Sequence, residues 1–132
     1  PDGSVRIYKT GNLLGPTVSM TLASDAVASA SGAISSLETR TGVQKLDAGE
    51  QFEGRIETTR NPDGSVRIYK TGNLLGPRVS ATLTSDMVVS ASGTVSGLAV
   101  LSGTWRVGTR TFSGRLEVTI SGTTVTVQDT RI

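Results

Sequence analysis

Thirteen lysines and arginines, eleven carboxylates and two tyrosines are the ionisable side chains of this 132-residue chain, which has neither histidine nor cysteine. That inventory excludes Ser-His-Asp triads, thiolate nucleophiles and zinc held by His or Cys. Carboxylate pairs are what remains for catalysis. Glu53, Arg55 and Glu57 alternate along one stretch, and Arg115 and Glu117 along another. Glycoside cleavage needs one carboxyl protonated beside one that is ionised. An intervening arginine favours the ionised form of both, so the spacing predicts a wet strand face with opposite charges side by side.

Three further patterns resolve the same way. Lys9-Thr10-Gly11 and Lys70-Thr71-Gly72 match the Lys-Thr-Gly element of penicillin-recognising enzymes, but the Ser-x-x-Lys partner that element requires is missing from the chain. GNLLGP, at 11–16 and 72–77, is bracketed by glycines yet lacks the Gly-Lys-Ser/Thr of a phosphate loop. Asp63-Gly64 lacks the alternating oxygen ligands of a calcium loop. The expectation is a protein without catalytic, metal or cofactor residues.

Residues suited to contact stand out better. Leu13 and Leu14, and again Leu74 and Leu75, fall in TGNLLGP stretches expected to be loops between strands, plugging an open end or meeting a partner. Trp105 is the single tryptophan, and it stands where the first half of the chain has Gln44. With Tyr8 and Tyr69 it offers the few aromatic surfaces a glycan could stack on. Phe52 and Phe112 recur at matching places, which assigns them to the core.

The elements that carry these residues come as a duplication. Residues 1–16, PDGSVRIYKTGNLLGP, recur unchanged at 62–77, and over the 36 aligned positions 1–36 and 62–97, 28 are identical. After a one-residue gap, FEGRIETT (52–59) matches FSGRLEVT (112–119), and GTTVTVQDT (122–130) looks like the start of a third copy. The division is therefore 1–61, 62–121 and a closing strand at 122–132, expected to fold as one cooperative domain. Recent duplication, gene conversion and engineering all produce such identity.

Period-two alternation identifies strands. Val18, Met20 and Leu22 alternate with Thr17, Ser19 and Thr21; Val79, Ala81 and Leu83 repeat the pattern. Residues 115–120 and 123–127 alternate likewise. A Ser121-Gly122 turn would set Val118 opposite Val125 and Leu116 opposite Val127. Asn61-Pro62-Asp63-Gly64 suits a type I turn joining 55–60 to 65–71. The same turn half-recurs at residues 1–3 without the strand that should precede it. Either upstream chain has been cut away, or strand 4–10 pairs with another part of the fold or, through its edge, with another subunit. The small-residue segments 25–36 and 86–97 read as strands bent at Gly32 and Gly93.

Apolar residues are 36% of the chain and aromatics 4%, with 16 Ser, 19 Thr and 16 Gly, a composition for pleated strands and turns. The net charge of +2 is spread without blocks, so nucleic-acid binding is not expected. No stretch is long enough for a membrane helix. The expected fold is all-β, an antiparallel sandwich or barrel in which the two units pack with pseudo-two-fold symmetry around one core. In composition the chain is similar to phage tail, fibre or capsid-decoration proteins and to bacterial surface repeats. The expected role is thus a structural or assembly part on an extracellular or virion surface, a homo-oligomer or a partner of other structural proteins through strand edges. A glycan- or protein-binding module, or an engineered duplicate, is the alternative.

Overall fold

The computed structural model describes residues 3–46 and 49–132, so Pro1 and Asp2 of the half-turn at the start lie outside the described residues. Strands account for about three quarters of it, and the described residues contain no helix. In chain order they are β1 (Val5–Leu14), β2 (Val18–Ala28), β3 (Ile34–Lys45), β4 (Gln51–Arg60), β5 (Val66–Gly76), β6 (Val79–Val89), β7 (Val95–Val107), β8 (Arg110–Ser121) and β9 (Thr124–Asp129). Each pairs antiparallel with the next, so sheet order equals sequence order, and β1 and β9 are the edges. No strand touches any but its chain neighbours. The all-β expectation holds. The sandwich or barrel with a shared core does not describe this chain, because the sheet is one open layer with the two units side by side in it. The connections explain this. Each is a short hairpin that returns the chain beside the strand just made, and no crossover starts a second layer.

Alternation sorts the side chains onto two unlike faces. Met20 pairs across β2–β3 with Gly42, Phe52 faces Leu74, and Leu83 faces Leu101, which faces Leu116. These residues give one face, the apolar face, most of its apolar side chains. Glu38, Arg40 and Lys70 stand among them, Arg40 opposite Leu22 and Ile56, and Lys70 opposite Ile56. On the opposite, polar face Thr21 meets Thr41, Arg55 meets Thr71, and Thr82 meets Ser102. The buried residues Met20, Phe52, Val79, Ala81 and Ser85 all stand on the apolar face, yet no side chain is more than 98% buried. A single layer cannot enclose a core.

Three glycines line up across the sheet on that face. Gly42, Gly54 and Gly72 stand opposite one another across β3, β4 and β5. A methyl group at Gly54 would sit 2.2 Å from the Thr71 carbonyl oxygen, and one at Gly72 would sit 2.3 Å from that of Glu53. Backbone thus occupies the space a side chain would need, a close approach that only glycine permits.

Local turn chemistry accounts for the remaining differences from expectation. TGNLL is strand in both copies, since β1 runs to Leu14 and β5 to Gly76. Leu13 and Leu74 therefore point to the apolar face and Leu14 and Leu75 to the polar one, instead of sharing a loop. Segments 25–36 and 86–97 are strand at both ends, to Ala28 and from Ile34 and to Val89 and from Val95, as expected, and the bend at Gly32 and at Gly93 is a full hairpin turn. Gly32, at φ 89°, donates its N–H to the Ser29 carbonyl, and Ser29 Oγ accepts from Ala33 N–H. Asn61–Gly64 turns as expected, with Gly64 N–H donating to the Asn61 carbonyl. The last hairpin slides by one residue: Gly122-Thr123 forms the turn, so Val118 faces Val127 and Ile120 faces Val125. Only Gly122 has positive φ there, at 61°, which suits a Gly-x type II′ turn; Ser121 in that place would be strained. The slip moves every pair by two residues and so preserves the faces.

Candidate interaction surfaces

One end of the apolar face is built around Trp105. It faces Phe112 across β7–β8, with ring centroids 6.3 Å apart and planes 15° from parallel. Behind β9 the chain keeps pairing with β8: Thr130 N–H donates to the Arg115 carbonyl, and Ile132 and Ser113 exchange N–H to carbonyl bonds. This delivers the Arg131 guanidinium to 4.8 Å from the Trp105 ring centre and 5.2 Å from that of Phe112. Asp129 holds it there, accepting from Nε at 2.8 Å and Nη2 at 2.6 Å. Leu46, Leu74, Val79 and Val107 join these residues around an open cavity of about 600 Å³. Leu74 and Trp105 are thereby brought together. Arg131, which the sequence reading did not single out, covers indole surface that a sugar would stack on.

The Arg131 side chain, and then its backbone N–H, hydrogen-bond to Asp129 and lower its carboxyl from the ordinary 3.8 to about 2. A carboxyl depressed on folding stabilises the fold above its unfolded pKa, and the contribution is lost as pH falls through the folded value. Acidification from pH 4 to below 2 is therefore expected to free the tail from Trp105. Trp105 emission should change over that window, and in an Asp129→Asn variant it should already be changed at neutral pH. An emission that stays flat across the window would contradict the contact.

The polar face carries a repeated arrangement. Arg6 grips Asp25 at 2.9 and 2.7 Å, and Arg67 grips Asp86 at 2.8 and 2.6 Å, each bidentate across neighbouring strands. Hydrogen bonds from these guanidiniums hold both carboxyls below their usual range. Arg67 also lies 5.5 Å from the Tyr69 ring centre, beside a groove shared with Val88, Leu98 and Val100. Arg55–Glu57 and Arg115–Glu117 pair along their own strands at 2.8 and 2.6 Å, forming the ladder read from the sequence. All are open to solvent, where such pairs add little stability. Tyr8 and Leu14 stand free on β1, 64% and 72% exposed, while Leu13 opposes Met20 and Leu75 opposes Gln51 and Ser80. The expected residues do not converge on one site. They are spread along two faces and an edge.

No family model, curated protein or solved structure matches the chain. Among the described residues no helix is long and apolar enough to cross a membrane.

Proposed function

We propose that this chain is a non-catalytic assembly module whose apolar sheet face is covered by the same face of a second copy. One observation carries the reading. The chain exposes 8524 Å², whereas a compact folded chain of 13.7 kDa exposes about 6,600 Å². The excess, about 1,900 Å² per copy, is what one open sheet layer exposes beyond a compact chain of the same mass. Two copies covering one another would bury roughly 3,800 Å², within the span of obligate homodimers. Face-to-face packing at about 10 Å would complete, between two chains, the two-layer sandwich that one chain lacks.

The polar face fits the same role. Threonine, serine and internally matched ion pairs remain soluble without recruiting nucleic acid. A repeated unit that presents such a face suits a particle surface, a fibre, a decoration layer or a bacterial surface array, and an extracellular or virion setting. Light scattering behind size exclusion tests the reading. The expected mass is twice 13.7 kDa or a larger multiple at micromolar concentration. A stable monomer there would overturn it.

A further inference from the structure

Identical residues meet different surroundings in β1 and β5. Residues 1–16 and 62–77 do not differ, yet the outer edge of β5 is filled by β4, from Gln51 opposite Leu75 to Arg60 opposite Val66. Among the described residues no strand lies on the corresponding edge of β1. From this difference we infer that β1 is a strand-binding edge for a second copy of the chain, whose β8 pairs with it in the place β9 otherwise holds. The inference rests on the assembly reading above and adds to it a contact made through strand edges.

The sequence of β8 fits. Phe112-Ser113-Gly114-Arg115-Leu116-Glu117 matches Phe52-Glu53-Gly54-Arg55-Ile56-Glu57 of β4. Carrying the β4–β5 register across sets Phe112 opposite Leu13, Gly114 opposite Gly11 and Glu117 opposite Tyr8. It also sets Val118 opposite Ile7 and Ile120 opposite Val5, where β4 offers only Thr58 and Arg60 to the equivalent residues. Apolar partners meet at two more steps than in β4–β5, matching the two that β8 makes with Val127 and Val125 of β9.

Gly11 gives the second argument. Its twin Gly72 must be glycine because the Glu53 oxygen lies 2.3 Å from where a methyl would stand; at Gly11 that space is empty to 4 Å. An arriving β8 fills it. The present occupant of the β8 edge fits less well. β9 has six ladder pairs, all its side chains are exposed, and Arg131 rather than glycine stands against Gly114. Replacing one strand by another costs little beyond bringing two chains together, as in strand addition and domain swapping. The contact is heterologous. Each copy keeps one free β1 edge and gives one β8, so the product is an open row.

The test uses the full chain, its Gly11→Ala variant, and a synthetic peptide of residues 4–14 as probe. The expected result is that species larger than the face-paired dimer grow with concentration and that the peptide caps them. Binding of the peptide should also move Trp105 emission, because Arg131 leaves with β9. Gly11→Ala should keep the melting temperature and the dimer, but require at least ten times more protein to form larger species. A peptide carrying the same substitution should neither cap nor move the emission. A chain that stops at the dimer and ignores the peptide overturns the inference and leaves the face contact standing. A monomer that still binds the peptide supports the edge and sinks the face contact. Larger species that Gly11→Ala leaves unchanged also overturn the inference.

Discussion

Replacing Gly72 with alanine is expected to destabilise the fold by about 3 kcal/mol, at the upper end of what an unaccommodated methyl costs. The same replacement at Gly11 should change stability by less than about 0.5 kcal/mol, as for an open surface site. The two glycines sit in identical 16-residue sequences, so propensity and local chain entropy cancel between them. The neighbour and the backbone angle differ. At Gly72 the added carbon would lie 2.3 Å from the Glu53 oxygen and 2.7 Å from Gly54 Cα, both backbone atoms tied into the ladder. At Gly72 φ is also 159°, at the limit of what a side chain tolerates, whereas Gly11 is not in that region. In thermal melts followed by circular dichroism, the Gly72 variant should unfold roughly 10 °C below the parent. Equal losses at both sites would mean that β1 has a neighbour in solution. Equal tolerance would mean that β4 and β5 do not approach as closely as they do here.

The second large effect is on association. Leu101 stands mid-sheet on the apolar face, between Leu83 and Leu116. In a single open layer an aspartate there keeps contact with water, so the chain should still fold. Under a second copy it would be buried without a partner, a cost of several kcal/mol. Leu101→Asp should therefore weaken dimerisation by roughly 100-fold or more, the scale of a central interface residue. Ser102→Asp, one residue on and facing the other way, should leave it within about twofold. Sedimentation equilibrium of the two variants separates these outcomes. A dimer that survives Leu101→Asp would move the contact elsewhere.

What the sequence made legible was local and periodic. The alternation in 17–23 and 115–120 marked strands with the correct residues facing one way, and Asn61-Pro62-Asp63-Gly64 marked its turn. The ladder of Arg55 and Glu57 was readable because residues two apart on a strand must share a face. The number of layers was not readable. A face of valines and leucines says that something must cover it, and the pattern is the same whether the cover is another part of the chain or another chain. The TGNLL segment misled for a related reason. Gly11 and Gly72 look like loop punctuation, but one of them is a place where two backbones meet inside a sheet. Arg131 over Trp105 had no signal, since its counterparts at the matching repeat positions, Gly11 and Gly72, are glycines.

The absence of cysteine allows the covered face to be probed directly. Val127 and Thr126 are adjacent on β9 and both exposed in the single chain, Val127 at 57%, but they point to opposite faces. Single thiols introduced by Val127→Cys and Thr126→Cys can be titrated with a charged reagent at high and at low protein concentration. At a concentration where the face-paired dimer is filled and larger species have not formed, the thiol at 127 should be protected and the one at 126 should react freely, with protection at 127 vanishing on dilution. Equal reactivity of the two at every concentration would contradict an apolar face covered by a second copy.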